Sequence, residues 1–186
     1  MDELDEYARQ FTEARAEARR LTNGLSREQF NWRPATGRWS VAECLGHLTV
    51  TGRQVCAKMR EAIAVGRSRG LTGTGPFDYG WLSRWFESSM EPPPRRRIPT
   101  ARAFAPAARS TCEVDAVLDD FEAVGDEYRA CLAAARGLDI RRVRVQSPVS
   151  RLLRFPLGGY IRGQTAHERR HLWQARQVIS DARFPR

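Results

Sequence analysis

Apolar residues return every third or fourth position over four separate stretches of this chain, a spacing that suits helices packed side by side and not the alternation of a sheet. Leu4, Tyr7, Phe11, Ala14, Ala18, Leu21 and Leu25 form the first stripe, a long amphipathic helix. Ser40 and Glu43 read as an S-x-x-E capping box opening the second, whose stripe includes Val41, Leu45, Leu48, Val55 and Met59. Val114, Val117, Phe121, Val124, Tyr128 and Cys131 mark the third, which stops at Gly137. The fourth begins after Pro156 and carries Ile161, Gln164, His167, His171, Gln174 and Val178. Between the second and third, residues 67–110 are rich in Gly, Pro and Arg, with one short aromatic helix over Tyr79, Trp81, Leu82, Trp85 and Phe86. A connection of that length crosses over a fold or serves a function. The expected fold is all-α: a four-helix bundle with a long crossover between helices 2 and 3, in a single domain over residues 1–186 with little strand.

The fourth stripe is polar in its middle. Gln164, His167, His171 and Gln174 occupy successive a and d positions, where leucines would ordinarily sit. Burying such groups without partners costs about 1–3 kcal/mol each, so something must compensate them. His167 and His171 lie four residues apart and face the same way on a helix. The one remaining histidine, His47, falls in the second turn of the second helix at the edge of its stripe. Two imidazoles at this spacing share a divalent ion readily, with a third donor from a neighbouring helix. The plainer alternatives are solvated helix histidines with His47 as core filler, or a water-filled polar layer between helices.

His167-Glu168-Arg169-Arg170-His171 also matches H-E-x-x-H, the zinc-peptidase helix in which the glutamate activates water. Its context argues against a peptidase. Fifteen residues follow His171, Asp181 is the one acidic side chain among them, and no convincing sheet precedes the motif. With His47 as third donor, Glu168 becomes an exposed or structural helix residue.

Asn31-Trp32-Arg33-Pro34, then Gly37-Arg38-Trp39-Ser40-Val41-Ala42-Glu43-Cys44-Leu45-Gly46-His47-Leu48, resembles the DinB/YfiT-like family's approach to its second helix and first ligand. His167-Glu168-Arg169-Arg170-His171-Leu172-Trp173-Gln174-Ala175 resembles the family's C-terminal H-x-x-x-H helix, and Gly80-Trp81-Leu82-Ser83-Arg84-Trp85-Phe86 with Glu91-Pro92-Pro93 its middle segment. The resemblance runs over essentially the whole chain, without departure at the ligand positions. It implies a four-helix bundle holding a divalent metal, zinc or nickel foremost, on His47, His167 and His171. Family members include transferases that use low-molecular-weight thiols and a thiol-dependent isomerase. The resemblance therefore implies a small-molecule electrophile and a thiol cosubstrate activated as thiolate.

Around such a site Gln164 and Gln174 would orient ligands or substrate, and Arg170 is the first candidate to hold a carboxylate of the thiol. Cys44, one turn before His47, is either a fourth ligand or, as its apolar surroundings favour, a buried inert thiol. Trp32, Trp39 and Trp173 read as packing anchors. Two other classes stay open: a metal-binding module without catalysis, and a nucleic-acid binder using the arginine surface.

The charge of +9 comes from 31 basic residues against 22 acidic ones, and Lys58 is the single lysine. Codon bias explains that makeup as readily as a phosphate-binding surface does, so nucleic acid is not the expected partner. The four cysteines lack CxxC spacing and read as reduced, mostly buried residues. No apolar run is long enough to span a bilayer and the N-terminus MDELDEYARQ is acidic, so the expected location is the cytoplasm, with a homodimer formed through a leftover apolar face.

Overall fold

A computed structural model describes residues 2–94, 100, 104–105, 111–148 and 152–186. Helix α1 spans Glu3–Thr22: the Asp2 side chain accepts from the Leu4 amide, acids fill the first turn and Arg19 and Arg20 the last, each end complementing the helix dipole. The helix stops earlier than its stripe suggests. Gly24 takes φ +75, and Leu25 leads into a separate short helix α2, Arg27–Asn31, opened by a reciprocal Ser26–Gln29 capping box and burying Phe30 completely. Helix α3, Val41–Ser68, begins at the Ser40–Glu43 box as expected. Helix α4 covers Gly80–Met90 in the crossover. Helix α5, Val114–Ala135, ends before Gly137 at φ +77, the position that favours glycine just beyond a helix.

Two short strands, β1 (Arg144–Gln146) and β2 (Arg154–Pro156), then pair antiparallel, with Val145 opposite Phe155 and both buried. Helix α6, Leu157–Ile179, follows directly.

Ion pairs on the bundle surface give the helix directions. Arg15 meets Asp126 while Arg136 meets Asp2 and Asp5, so α1 and α5 are antiparallel. Arg53 pairs with Asp120 and Arg60 with Glu127, a constant offset that makes α3 and α5 parallel. The same logic, with Arg169 on Gln10 and Arg176 on Glu17, makes α1 and α6 parallel. Around the bundle the order is α1, α5, α3, α6, so α1 and α3 face each other across a diagonal. The crossover must therefore return the chain over the length of the bundle before α5 can start beside α3. No helix among the described residues is long and apolar enough to cross a membrane.

Helix α4 lies on α6 because α6 offers it a glycine face. A Cβ on Gly158 would come within 2.2 Å of Tyr79, one on Gly159 within 2.3 Å of Ser83, and one on Gly163 within 2.1 Å of Phe86. Tyr79 and Ser83 are buried by this packing, whereas Trp81 and Trp85 project outward. The Phe86 ring is held on its other side by Phe155 and Tyr160, so it has little room to yield. Gly163→Ala is expected to cost about 1–3 kcal/mol by overpacking, read as a melting temperature lower by roughly 2–12 °C. An unchanged melting temperature would show that α4 is not seated on α6 in this way.

Candidate metal centre

His47 stands on α3 and His167 and His171 on α6, two antiparallel neighbours, and one ring-nitrogen from each lies within 4.8 Å of the others. His47 and His171 are buried and His167 partly so. The Nε2 atoms of His47 and His167 are 3.1 Å apart. Two imidazoles bound to one tetrahedral ion at about 2.0–2.1 Å would place their nitrogens about 3.3 Å apart, so the observed spacing suits a shared ion.

The His47 ring is positioned from behind: its Nδ1–H donates to the carbonyl oxygen of Phe104 at 2.6 Å, which leaves its Nε2 lone pair facing the other rings. The Nδ1 of His171 is buried with no hydrogen-bond partner in the protein, and Gln174 follows it by about one turn on α6. A buried lone pair left open costs about 1–3 kcal/mol and is what a metal would take. The indole of Trp39 packs over two of the rings, 4.9 Å from His47 and 5.5 Å from His171 between centroids.

Electrostatics keep the cluster neutral. Burial lowers the pKa of His47, against the Phe104 hydrogen bond. Burial, then the neighbouring His47 and Arg170, brings His167 down to about 3. His171 lies well below the ordinary value through burial, His167, His47 and Arg170. Neutral imidazoles are the form that binds a divalent ion.

The other residues singled out in the sequence fare differently. Gln164 is buried with its Oε1 unpartnered, one turn before His167. Arg170 is buried too, and its Nη1 donates to the Ser89 carbonyl at the end of α4, so part of its role is to tie α6 to the crossover. Cys44 is not among the converging donors: it is fully buried beside the apolar end of the bundle, and burial drives its thiol far above the ordinary range. All four cysteines are free and three are buried. Asp181 is held by Arg183, away from the histidines, so the third donor to the H-E-x-x-H pair is His47. Of the two readings of Glu168, exposed or structural, the first does not hold: it is 5% exposed, and burial raises its carboxyl to about 8 against the opposing fields of Arg169 and Arg15. Three consecutive basic residues of the crossover, Arg95, Arg96 and Arg97 after Pro94, lie outside the described residues.

Phe104 is the participant that sequence reading missed, because a backbone carbonyl leaves no mark on residue type. Trp39 was legible as an anchor but not as the wall of the site.

The family model for the DinB superfamily matches residues 10–175. Among solved structures, YfiT from Bacillus subtilis, described as a probable metal-dependent hydrolase with an unusual four-helix bundle topology, is similar at a TM-score of 0.61 and 13% sequence identity, over 95% of this chain and 86% of that one. No curated protein matches the chain.

Proposed function

Because the chain belongs to the DinB superfamily and the matched span takes in all three histidines, we propose that it is a metal-dependent enzyme that transfers a low-molecular-weight thiol to an electrophilic small molecule. The observation that carries this reading is the convergence of three neutral imidazoles, two buried and one half-buried, with an unpartnered nitrogen among them. His47, His167 and His171 would hold a divalent ion, with zinc or nickel the best fits to an all-imidazole set. Three protein donors leave room for a further ligand, as in catalytic and not closed structural sites. Such an ion supplies Lewis acidity and lowers the pKa of a thiol or water bound to it.

The chain's own groups prepare that chemistry. The Phe104 carbonyl holds the His47 Nδ1 proton and so selects the tautomer. Trp39 covers the rings of His47 and His171 on one side. The open Oε1 of Gln164 can accept a hydrogen bond from an N–H or O–H of thiol or substrate. In the transfer the thiol gives its proton to solvent, its sulfur bonds to the electrophilic carbon, and the leaving group departs with the electron pair of the broken bond and takes up a proton from solvent.

A second reading is hydrolysis, favoured by the buried carboxyl of Glu168 next to His167 in an H-E-x-x-H sequence. YfiT is itself described as a probable hydrolase.

Elemental analysis of untagged protein comes first. About one divalent ion per chain is expected, absent from His171→Ala while its helical circular dichroism persists. The metal-loaded protein is then given electrophiles with and without small thiols. Turnover that needs both thiol and metal supports the transferase. Thiol-independent cleavage of esters or amides would replace it with the hydrolase, and absence of metal after reconstitution would sink both.

A further inference from the structure

At the end of α3 remote from His47, a groove of about 280 Å³ opens between the last turns of that helix and the β1–β2 hairpin. At 1.5 Å per residue, Val65 lies about 27 Å along the helix from His47, so the groove is separate from the metal centre.

The floor is apolar. Ala62, Val65, Leu71 and Val143 line it, and Gly66 makes it possible: a Cβ there would come within 2.6 Å of Val143. Val65 is 49% exposed despite its type. The rim is cationic. Lys58, Arg69, Arg142, Arg144 and Arg154 surround the floor, and the one carboxylate among the lining residues, Glu61, is engaged by Lys58.

Elsewhere on α1, α3, α5 and α6 and at their ends, most arginines are neutralised by carboxylates, among them Arg15, Arg19, Arg53, Arg60, Arg136, Arg162, Arg169 and Arg176, while Arg67 donates to backbone carbonyls. None of Arg69, Arg142, Arg144 and Arg154 has a carboxylate partner among the described residues. Hairpin register brings two of them together. Val145 and Phe155 point into the core, so Arg144 and Arg154 are left on the outer face. Four guanidiniums gathered without counter-charge over an apolar floor form a site with both a charge and a shape preference.

We propose that this groove binds a phosphate monoester bearing an apolar body, the phosphate held by the arginines of the rim and the body lying on Val65 and Val143. Guanidinium forks match phosphate oxygens in pairs, and the volume is near the lower end of small-ligand pockets, well short of the extended track that a nucleic-acid backbone requires. The phosphate belongs either to a soluble metabolite or to a lipid headgroup. Leu152, 94% exposed, and Leu153 stand at the turn of the hairpin beside Arg154 and would face the acyl region in the second case.

The test uses 1-naphthyl phosphate as probe, with 1-naphthol as its uncharged counterpart, titrated into the metal-loaded full chain. Arg144→Ala/Arg154→Ala is expected to bind the phosphate roughly tenfold or more weakly. Arg53→Ala/Arg60→Ala removes the same charge from ion-paired positions and is expected to bind as wild type does. His47→Ala is expected to leave the affinity unchanged, which separates the groove from the metal centre. Vesicles of phosphatidylcholine with phosphatidic acid, a lipid phosphate monoester, distinguish the sources: capture displaced by the probe assigns a lipid headgroup, and no capture assigns a soluble ligand. Equal weakening in both double variants, binding of naphthol as tight as that of its phosphate, or capture of duplex DNA that the probe cannot displace would overturn the proposal.

Discussion

Adding a divalent ion to the metal-free protein should raise its melting temperature by roughly 8–16 °C at a thousandfold excess over the dissociation constant, and should leave His47→Ala unmoved. The size follows from linkage: a ligand that binds only the folded state at that excess adds about 4.1 kcal/mol, and a chain of this length gains roughly 2–4 °C per kcal/mol. The His47 and His167 nitrogens 3.1 Å apart, and a ring nitrogen of each of the three histidines within 4.8 Å of the others, already sit where an ion can use them, so little reorganisation offsets the gain. The shift upon metal addition is the quantity to compare, because His47→Ala has a second cost. It leaves the Phe104 carbonyl without its donor, which costs about 1–3 kcal/mol where that oxygen is sealed from water. The variant thus starts lower and stays there. Equal shifts in wild type and variant would place the ion elsewhere and return the histidines to a polar layer bridged by water.

Much of this molecule was legible in its sequence, and the failures have physical causes. The four stripes and the Ser40–Glu43 box located the bundle helices because each helix buries a continuous face, and a buried face writes itself at 3.6-residue period. The stripe runs past the end of α1 because Leu25 keeps the period after the backbone has left the helix before Gly24; the Ser26–Gln29 box is the better signal. The β1–β2 hairpin is too short for alternation to emerge from the arginines around it. Gly158, Gly159 and Gly163, ordinarily a weakness in a helix, were the trace of α4 docking on α6, and they have no meaning until a partner helix is known.

The metal centre divides in the same way. Its imidazoles were visible because histidine is rare here and an i, i+4 pair is a chemical statement as well as a helical one. The groups that aim those imidazoles were not: Phe104 acts through its backbone, and Trp39 lies eight residues from His47 in sequence and reaches it around the start of α3. Whether Glu168 is exposed or structural cannot be read from a pattern that assumes one buried stripe per helix. Helix α6 packs against α1, α3 and α4 together, so most of its circumference is buried, Glu168 included.

That burial makes the metal-free Glu168→Gln variant the most informative stability measurement. Glu168 is raised to about 8 in the fold, from the ordinary range near 4.3 in an unfolded chain. A raised carboxyl binds more protons folded than unfolded. Its contribution is therefore fully present below about pH 4.3 and is lost as pH rises through about 8. The cost of ionising it reaches several kcal/mol, on the order of 1.4 kcal/mol for each unit of displacement. Arg15 on α1 and Arg169 on α6 already oppose the shift without cancelling it, and Tyr128 on α5, itself buried, feels the same charge. Glutamine keeps the shape of the protonated acid and cannot ionise. The variant should melt close to wild type near pH 5 and progressively above it toward pH 9, by roughly 10 °C at the upper end. Comparing the two at each pH removes the contribution of the histidines, whose lowered pKa values act in the opposite, acidic range. A difference that stays flat from pH 5 to pH 9 would mean that the carboxylate is satisfied by a buried donor at all pH values. A difference that grows as expected would show that the fold keeps a proton on the residue next to His167, a candidate metal ligand, at a cost to its own stability.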